Sequence, residues 1–593
     1  MAQSVPPPTR ASLFGAQISR ALAWAPPRVP SNGTAALTSI WLAESGTMPR
    51  SRFTPSTEPL AGGPSQIRLA AEEREDNSTR TRRAGIAGST DLPPVLQDML
   101  DALEVMQDSY FDLFSGTWPD AIDWTSAVVG SQVSATLASI VSSLDVSSTS
   151  TCADMLAWQN LIDRYYAQTS VFYFGENAFA LRNQAYDDML WVVLGWLENL
   201  KFAEMYSLKH WDFLRHNNGW HGLQVIPMAA HRARVFYDLA SVGWDESLCG
   251  GGMTWNPYLT PYKNAITNEL FAAASIGMYL YFPGDNNTSP YMAQHSDGFM
   301  KPHDPLYLEN AVKSYKWLME SRMRNRVSGL YEDGFHITGW HRHPNGTINP
   351  GTGNCDDLNH MVYTYNQGVI LSASRGLWLA TGARSYLDDG HALVESVIRA
   401  TGWPNLDPTW SGLGRGGVME EFCDHGGYCS QDGQTFKGIF FHHLSEFCRP
   451  LWPQEEAMLS SVESGTADFD RGVYDYHLAR CAAYDKWVAR NTEAALATRT
   501  AQGHFGMWWT FGQPDDDDDD DDDSMAQIHQ TTLLPAGADD HLNPEAQDWP
   551  DQSIGPNDSN DRGRGRTVET QSGGLAILRA RWNWDVYFRQ ITL

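Results

Sequence analysis

The chain of 593 residues contains no apolar run approaching the ~18 residues that a membrane-spanning helix needs, so no membrane span is expected. Positive charge is scarce. Lys and Arg number 42 against 71 Asp and Glu, a formal charge of −29. A general nucleic-acid binder needs a basic face, and this balance argues against one. Cysteines number only seven, and none forms Cys-x-x-Cys, so neither a zinc ribbon nor a thioredoxin motif is supported. Strand-like alternation is rare, and no Gly-x-Ser-x-Gly or phosphate loop stands in a fitting context. The first residues lack the basic, apolar and small-residue succession of a secretory signal. The last five, Arg589 to Leu593, form no apolar tail of the kind a GPI signal carries.

What is present is a globular composition, with 42% hydrophobic and 19% charged residues. The charge is uneven. Residues 513–561 hold sixteen acids, nine of them the run Asp515 to Asp523, and no Lys or Arg; residues 1–90 hold ten Arg against six acids. Trp, Tyr and Phe each occur 23 times. Flat faces pack cores, which explains most of them. The same faces stack on the C–H faces of sugars, and Trp beside acidic residues tilts the expectation toward carbohydrate. Asn32, Asn77, Asn286, Asn287, Asn345 and Asn557 stand in glycosylation sequons, which with the cysteines favours secretion. Cys423 and Cys429 are close enough to close a small disulfide loop, and an odd count leaves a thiol over if the rest pair within the chain.

From Leu96 the pattern becomes helical. Leu96, Met99, Leu100, Leu103, Met106, Tyr110 and Phe111 recur at three- and four-residue steps. Further helices are expected near 121–144, 152–168, 178–206, 228–239, 263–281, 306–323, 363–381, 386–400, 435–447, 471–488 and 570–582. Loops rich in Gly, Pro, Asn and Trp separate them at 243–261, 329–356 and 402–433. The fold class is therefore all-α, and twelve helices joined by long loops suit a toroid of helical hairpins. Met189 to Leu197 is apolar nearly all round, as an inner helix would be. Residues 1–94 read as a disordered or mis-assigned leader, 95–512 as the catalytic domain, 513–561 as a solvated acidic insertion, and 562–593 as a helix returning to the domain.

The sharpest local feature is Tyr186-Asp187-Asp188-Met189-Leu190-Trp191, two carboxylates before a strongly apolar helix. Asp also favours the cap and first turn of any helix, which is the plainer explanation. The chemical one is glycoside hydrolysis. A retaining glycosidase needs carboxyls about 5–5.5 Å apart, and neighbours whose Cα atoms are ~3.8 Å apart can reach that separation. An inverting pair needs roughly 6.5–9.5 Å, which is harder for neighbours. Like charges this close push the two pKa values apart and leave one acid protonated. A second feature runs from Gly243-Trp244-Asp245 through Cys249-Gly250-Gly251-Gly252 to Trp255, followed by Lys263-Asn264-Ala265 and Asn268-Glu269. The Gly run lets backbone approach a ligand, or simply makes a turn and cap. A third is Tyr363-Thr364-Tyr365-Asn366-Gln367-Gly368, whose amides can meet hydroxyls or satisfy backbone.

Taken in order, these four motifs resemble glycoside hydrolase family 76, whose members are α-1,6-mannanases and related fungal cell-wall transglycosidases. The resemblance covers roughly residues 95–512 and 562–585. It implies an (α/α)6 barrel with a groove at one end and the Asp pair at its centre. It further implies that Asp187 is the nucleophile and Asp188 the acid/base. By the same likeness Trp191, Asp245, Trp255, Asn264, Asn268, Tyr365, Asn366 and Gln367 line sugar subsites. The expected activity is a retaining endo-α-1,6-mannanase acting on α-1,6-mannan or its oligosaccharides, with no metal and no cofactor. The protein is expected to be monomeric and extracellular or in the cell wall. The alternatives are a mannan transglycosidase using the same residues, or a non-catalytic mannan-binding protein.

The missing signal and the acidic insertion depart from the family pattern. Asp356-Asp357 is read as a cap for the following helix, with substrate binding as the alternative, and Asp388-Asp389 as a surface turn. His341 and His343 lack a third ligand at a suggestive spacing. The Asp run lacks the Gly and Glu spacing of a calcium loop. Met-rich helices are read as core.

Overall fold

The computed structural model describes residues 92–144, 152–175, 184–210, 219–287, 301–462, 471–512, 559–561 and 563–588. The expectations for the leader and for the poly-Asp run lie outside the described residues. Among those residues there are fourteen α-helices: α1 Pro94–Ser109, α2 Asp123–Leu144, α3 Cys152–Gly175, α4 Tyr186–Ser207, α5 Ile226–Ser241, α6 Ala265–Tyr281, α7 Pro305–Glu320, α8 Thr364–Thr381, α9 Ser385–Ala400, α10 Gln431–Cys448, α11 Pro453–Val462, α12 Arg471–Ala482, α13 Asp485–Ala497 and α14 Val568–Tyr587. None of them is long and apolar enough to cross a membrane.

Six helices close into a ring. α2 packs on α4, α4 on α6, α6 on α8, α8 on α10, α10 on α14, and α14 returns to α2. Glycine sits at five of these seams. Gly195 faces Ala127, Gly277 faces Leu197, Gly376 faces Ile276, Gly368 faces Phe440, and Gly438 meets Gly573 backbone to backbone. Without side chains at these points the helices can approach closely. The sixth seam is polar: Thr125 donates its hydroxyl to Glu569 at 2.6 Å. Outside the ring α3 packs on α2, α5 on α4, α7 on α6, α9 on α8, and both α1 and α13 on α14. The fold is an (α/α)6 barrel. The inner helices are buried almost throughout, α10 from Gln431 to Cys448 with Asp432 the exception. Thus the all-round apolarity of Met189 to Leu197 was a sign of an inner helix.

The inner helices run in one direction. At one end Trp124 bonds Asp432, Gln431 bonds Glu569 and Thr567 bonds Gln434, all at helix starts. Further along, Lys201 of α4, Glu446 of α10 and Arg579 of α14 meet in a buried ion cluster. Arg449 joins Glu446 to Glu455, and Arg375 of α8 also pairs with Glu455. A cavity of about 70 Å³ lies among these charges.

Several boundaries differ from the sequence reading. α10 begins at Gln431, because Ser430 caps it by accepting the Gly433 N–H at 3.2 Å. The stretch expected at 471–488 is two helices broken at Ala483-Tyr484, the second reaching Ala497. α11 was not foreseen; its Glu455 is buried by ion pairing, which hides it from a hydropathy pattern. Asp388-Asp389 lies within α9 and not in a surface turn: Asp388, in the first turn, pairs with Arg384, and Asp389 accepts the Tyr315 hydroxyl at 2.8 Å. Asp356 caps no helix: it accepts the Thr338 N–H at 2.9 Å, and Asp357 lies in a strand. The expected small disulfide Cys423–Cys429 is present, with Cys249–Cys355 and Cys448–Cys481 beside it.

Candidate active site

Because the inner helices are parallel, their N-termini and the loops before them gather at one end. The motifs at Tyr186–Trp191, Gly243–Trp255, Lys263–Glu269 and Tyr363–Gly368 lie there. Asp187 and Asp188 occupy the first turn of α4, where the helix dipole favours negative charge. Asp188 accepts the Ala185 N–H at 3.1 Å, so it does cap the helix, and its own N–H donates to Asp187 at 3.1 Å. Asp187 is buried and Asp188 half-buried. Burial, then the adjacent Asp188 carboxylate, lifts the Asp187 carboxyl well above the ordinary range; backbone N–H groups and the Trp255 side chain pull the other way.

The glycine-rich loop lies against this turn. Tyr186 N–H donates to the Trp255 carbonyl at 2.8 Å, and Trp255 N–H donates to the Tyr262 carbonyl at 2.8 Å. Gly250, Gly251 and Gly252 all have positive φ, and a Cβ on Gly252 would strike the Trp317 ring at 2.6 Å. Cys249 ties the loop to Cys355. Lys263 donates to the carbonyls of Asp245 and Gly252 at 3.0 and 2.6 Å, and burial pulls its ammonium down to about 8. Asn268 accepts the Met253 N–H at 2.7 Å and donates to the carbonyls of Met253 and Asn264.

A third carboxylate was not found in the sequence. Short strands at 263–264, 334–336 and 357–359 form one sheet, with Asn264 opposite Gly334 and Gly334 opposite Asn359. This sets Asp333 beside Tyr262 and Asn359. Tyr262 donates its hydroxyl to Asp333 at 2.5 Å and Asn359 donates its amide at 3.1 Å. Burial raises the Asp333 carboxyl, while the hydrogen bonds from Tyr262 and Asn359 oppose the rise. Asp333 and Asp187 both act electrostatically on Tyr365.

Glu269, fully buried behind this site on α6, has neither carboxyl oxygen hydrogen-bonded, and burial raises its pKa well above the ordinary range. Glu421 accepts the Thr364 N–H at 3.0 Å and the Thr364 hydroxyl, capping α8; burial lifts it to about 7.

The eight residues expected to line subsites divide in two. Asn268 and Gln367 are fully buried, with their amides engaged by backbone; Gln367 accepts from Tyr331 N–H and donates to the carbonyls of Tyr331 and Tyr363. In this structure both amides hold loops. Asp245 accepts the N–H and hydroxyl of Ser247 in a tight turn. Trp191 is buried, stacked on Trp124 at 5.6 Å, and Trp124 donates to Asp432 at 2.9 Å. Tyr365 stacks on Phe436 at 3.9 Å, and Asn366 is buried beside Asp333. Trp255 and Asn264 adjoin the dyad and Asp333 respectively. His341 and His343 stand together on an exposed hairpin, their rings 4.3 Å apart. Among the described residues two triads have metal-ligand proximity, His391–His477–Cys481 and Cys423–Asp424–Cys429, but every sulfur in them is spent in a disulfide.

The sequence profile of glycosyl hydrolase family 76 matches residues 228–461. Over these residues the chain is similar to that family. The match runs from α5 to α11 and begins downstream of Asp187-Asp188, so it does not itself include the pair. Mannan endo-1,6-alpha-mannosidase DCW1 of Saccharomyces cerevisiae is 25% identical over 225 residues, covering 37% of this chain and 39% of that protein. DFG5 of the same yeast, named likewise, is 25% identical over 209 residues, covering 34% and 35%. The chain thus spans under two fifths of the length of these relatives. Among solved structures, the GH76A alpha-1,6-mannanase of Salegentibacter sp. HEL1_6 aligns with a TM-score of 0.44 and 16% identity, covering 82% of this chain and 98% of that one. Dfg5 of Chaetomium thermophilum in complex with glucosamine aligns with a TM-score of 0.48 and 13% identity, covering 84% and 92%.

Proposed function

We propose that this chain is a retaining endo-α-1,6-mannanase whose acid pair is Asp187 and Asp188. The observation that carries the reading is the placement of two adjacent carboxylates in the first turn of an inner helix, at the barrel end where aromatic, amide and carboxylate side chains converge. The likeness of residues 228–461 to glycosyl hydrolase family 76 supports the same class of chemistry. Adjacent residues suit the ~5–5.5 Å separation of a retaining pair.

In this mechanism the Asp187 carboxylate attacks the anomeric carbon as Asp188 gives its proton to the departing glycosidic oxygen. Asp188 then takes a proton from water, and the water oxygen displaces Asp187 from the mannosyl-enzyme. Burial favours the proton on Asp187 in the free protein. Nucleophilic attack needs it on Asp188, and the α4 N-terminus and the Asp188 N–H supply part of that bias. Asp333, held by Tyr262 and Asn359, offers an acceptor for sugar hydroxyls. Three disulfides favour an oxidising, extracellular setting.

The test is release of reducing ends from linear α-1,6-mannan by wild type, Asp187→Asn and Asp188→Asn, with circular dichroism to confirm folding. Each variant should lose about 10³-fold or more. Retained turnover in either variant would remove the pair from the mechanism. Lengthened acceptors in place of free products would reassign the chemistry to transglycosylation.

A further inference from the structure

The segment between α9 and α10 reaches the same barrel end and turns outward there. Glu421 points in and caps α8. The next residue, Phe422, is 57% exposed. Its ring meets that of half-buried Trp410 edge to face at 5.9 Å. Arg415 lies 5.8 Å from the Trp410 ring centre and is paired with buried Glu420 at 2.9 and 3.2 Å. Two constraints hold the base of this surface in place, the Cys423–Cys429 disulfide and the buried Lys437–Asp424 ion pair.

The patch adjoins the start of α8. Glu421, the neighbour of Phe422, accepts the Thr364 N–H at 3.0 Å. On either side of Thr364, the Tyr363 and Tyr365 rings lie 6.0 Å apart and both pack on Phe436. Phe422, with Trp410 packed on it, therefore stands one residue beyond the link to the motif that carries Tyr365 and Asn366. The chemistry of the patch matches a pyranose. Aromatic faces take the C–H face of the ring, and a guanidinium already neutralised by Glu420 can donate to hydroxyls without an uncompensated charge. A protein partner would more often be met by a wider apolar surface than one pair of rings.

We propose that Trp410, Phe422 and Arg415 form a distal glycan subsite that holds a hexopyranose unit of the polysaccharide whose other units occupy the dyad. The subsite rests on the mannanase reading. It lengthens the chain that the protein grips and so favours polymer over short oligosaccharide.

The experiment compares kcat/KM on linear α-1,6-mannan and on α-1,6-mannotetraose for wild type, Trp410→Ala and Phe422→Ala. Retardation of each intact protein in gels containing mannan is measured alongside, with thermal unfolding and oligomeric state. The polymer-to-tetraose ratio should fall about tenfold, the factor that about 1.4 kcal/mol removes, through KM, and retardation should weaken. Retardation and ratio equal to wild type would overturn the subsite alone. An equal fall on both substrates would show loop damage and would also overturn it. A changed oligomeric state with the glycan response intact would give the patch to a second copy. If wild type neither binds nor cleaves mannan, the mannanase reading fails and the subsite fails with it.

Discussion

Glycine at the seams of the inner ring gives a prediction with a sign. A Cβ on Gly368 of α8 would sit 2.7 Å from the Cα of Phe440 on α10 and 3.3 Å from its nitrogen. Carbon atoms in contact prefer ~3.5–4.0 Å, so Gly368→Ala forces the two helices apart by about 1 Å. Backbone cannot swing aside as a side chain would, and overpacking of this kind costs about 1–3 kcal/mol. Alanine in a helix interior gains about 1 kcal/mol over glycine, which leaves a net loss of up to about 2 kcal/mol. Gly130 of α2 is the control. The nearest atom to its virtual Cβ is Trp118 Cη2 at 3.9 Å, an ordinary contact. Gly130→Ala should therefore be stabilising by about 0.5–1 kcal/mol. In a domain this large the midpoint moves only about 1 °C per kcal/mol, so paired calorimetric scans should read the opposite signs. Gly368 also follows Gln367 in the turn that presents Tyr365 and Asn366. A displacement near 1 Å there should lower kcat/KM on mannan about tenfold to a hundredfold. Gly368→Ala with wild-type stability and turnover would refute the close packing of α8 on α10.

Other perturbations test other parts of the account. Trp255→Phe removes a group that favours the ionised form of Asp187. The Asp187 pKa should rise further, because the Trp255 side chain opposes the rise that burial causes. A nucleophile must be ionised, so the acid limb of kcat/KM should move to higher pH; movement of the basic limb instead would exchange the roles of the two Asp residues. Arg449→Met leaves Glu446 and Glu455 short of a cation inside the barrel and should cost about 3–5 kcal/mol in chemical denaturation. An unchanged midpoint would show the ion cluster to be solvated. Replacing Cys249 and Cys355 together by Ser opens a link across 106 residues and should cost about 2–4 kcal/mol. Because that link holds the loop bearing Trp255, activity should fall at temperatures where the fold persists, and equal loss of both would count against a positioning role.

The parts of the site that were legible in the sequence are those set by local rules. Asp187-Asp188 precedes a uniformly apolar helix, and the glycine run must turn sharply, so both could be read from neighbouring residues. Asp333 could not. It is brought to the site by three strands of two or three residues drawn from positions near 264, 334 and 359, too short to leave an alternation. Glu421 and Glu455 were missed for a related reason: each is buried by a distant partner, Thr364 in one case and Arg449 with Arg375 in the other. Asn268 and Gln367 show the reverse effect. An amide near a motif suggests a hydroxyl ligand, but the turns it sits among expose backbone groups that must be satisfied, and in both cases the loops take the amide. The break between α12 and α13 was also hidden, since apolar residues continue through Ala482, Ala483 and Tyr484 while the backbone turns.

The most direct test of the dyad is the configuration of the first product. Linear α-1,6-mannan is hydrolysed by wild type in the NMR tube, and the anomeric proton of the new reducing end is followed before mutarotation. Retention through a mannosyl–Asp187 intermediate predicts that the α-anomer appears first and the β-anomer grows in later. A β-anomer formed first would mean inversion, and would contradict a nucleophilic role for either carboxylate of the pair.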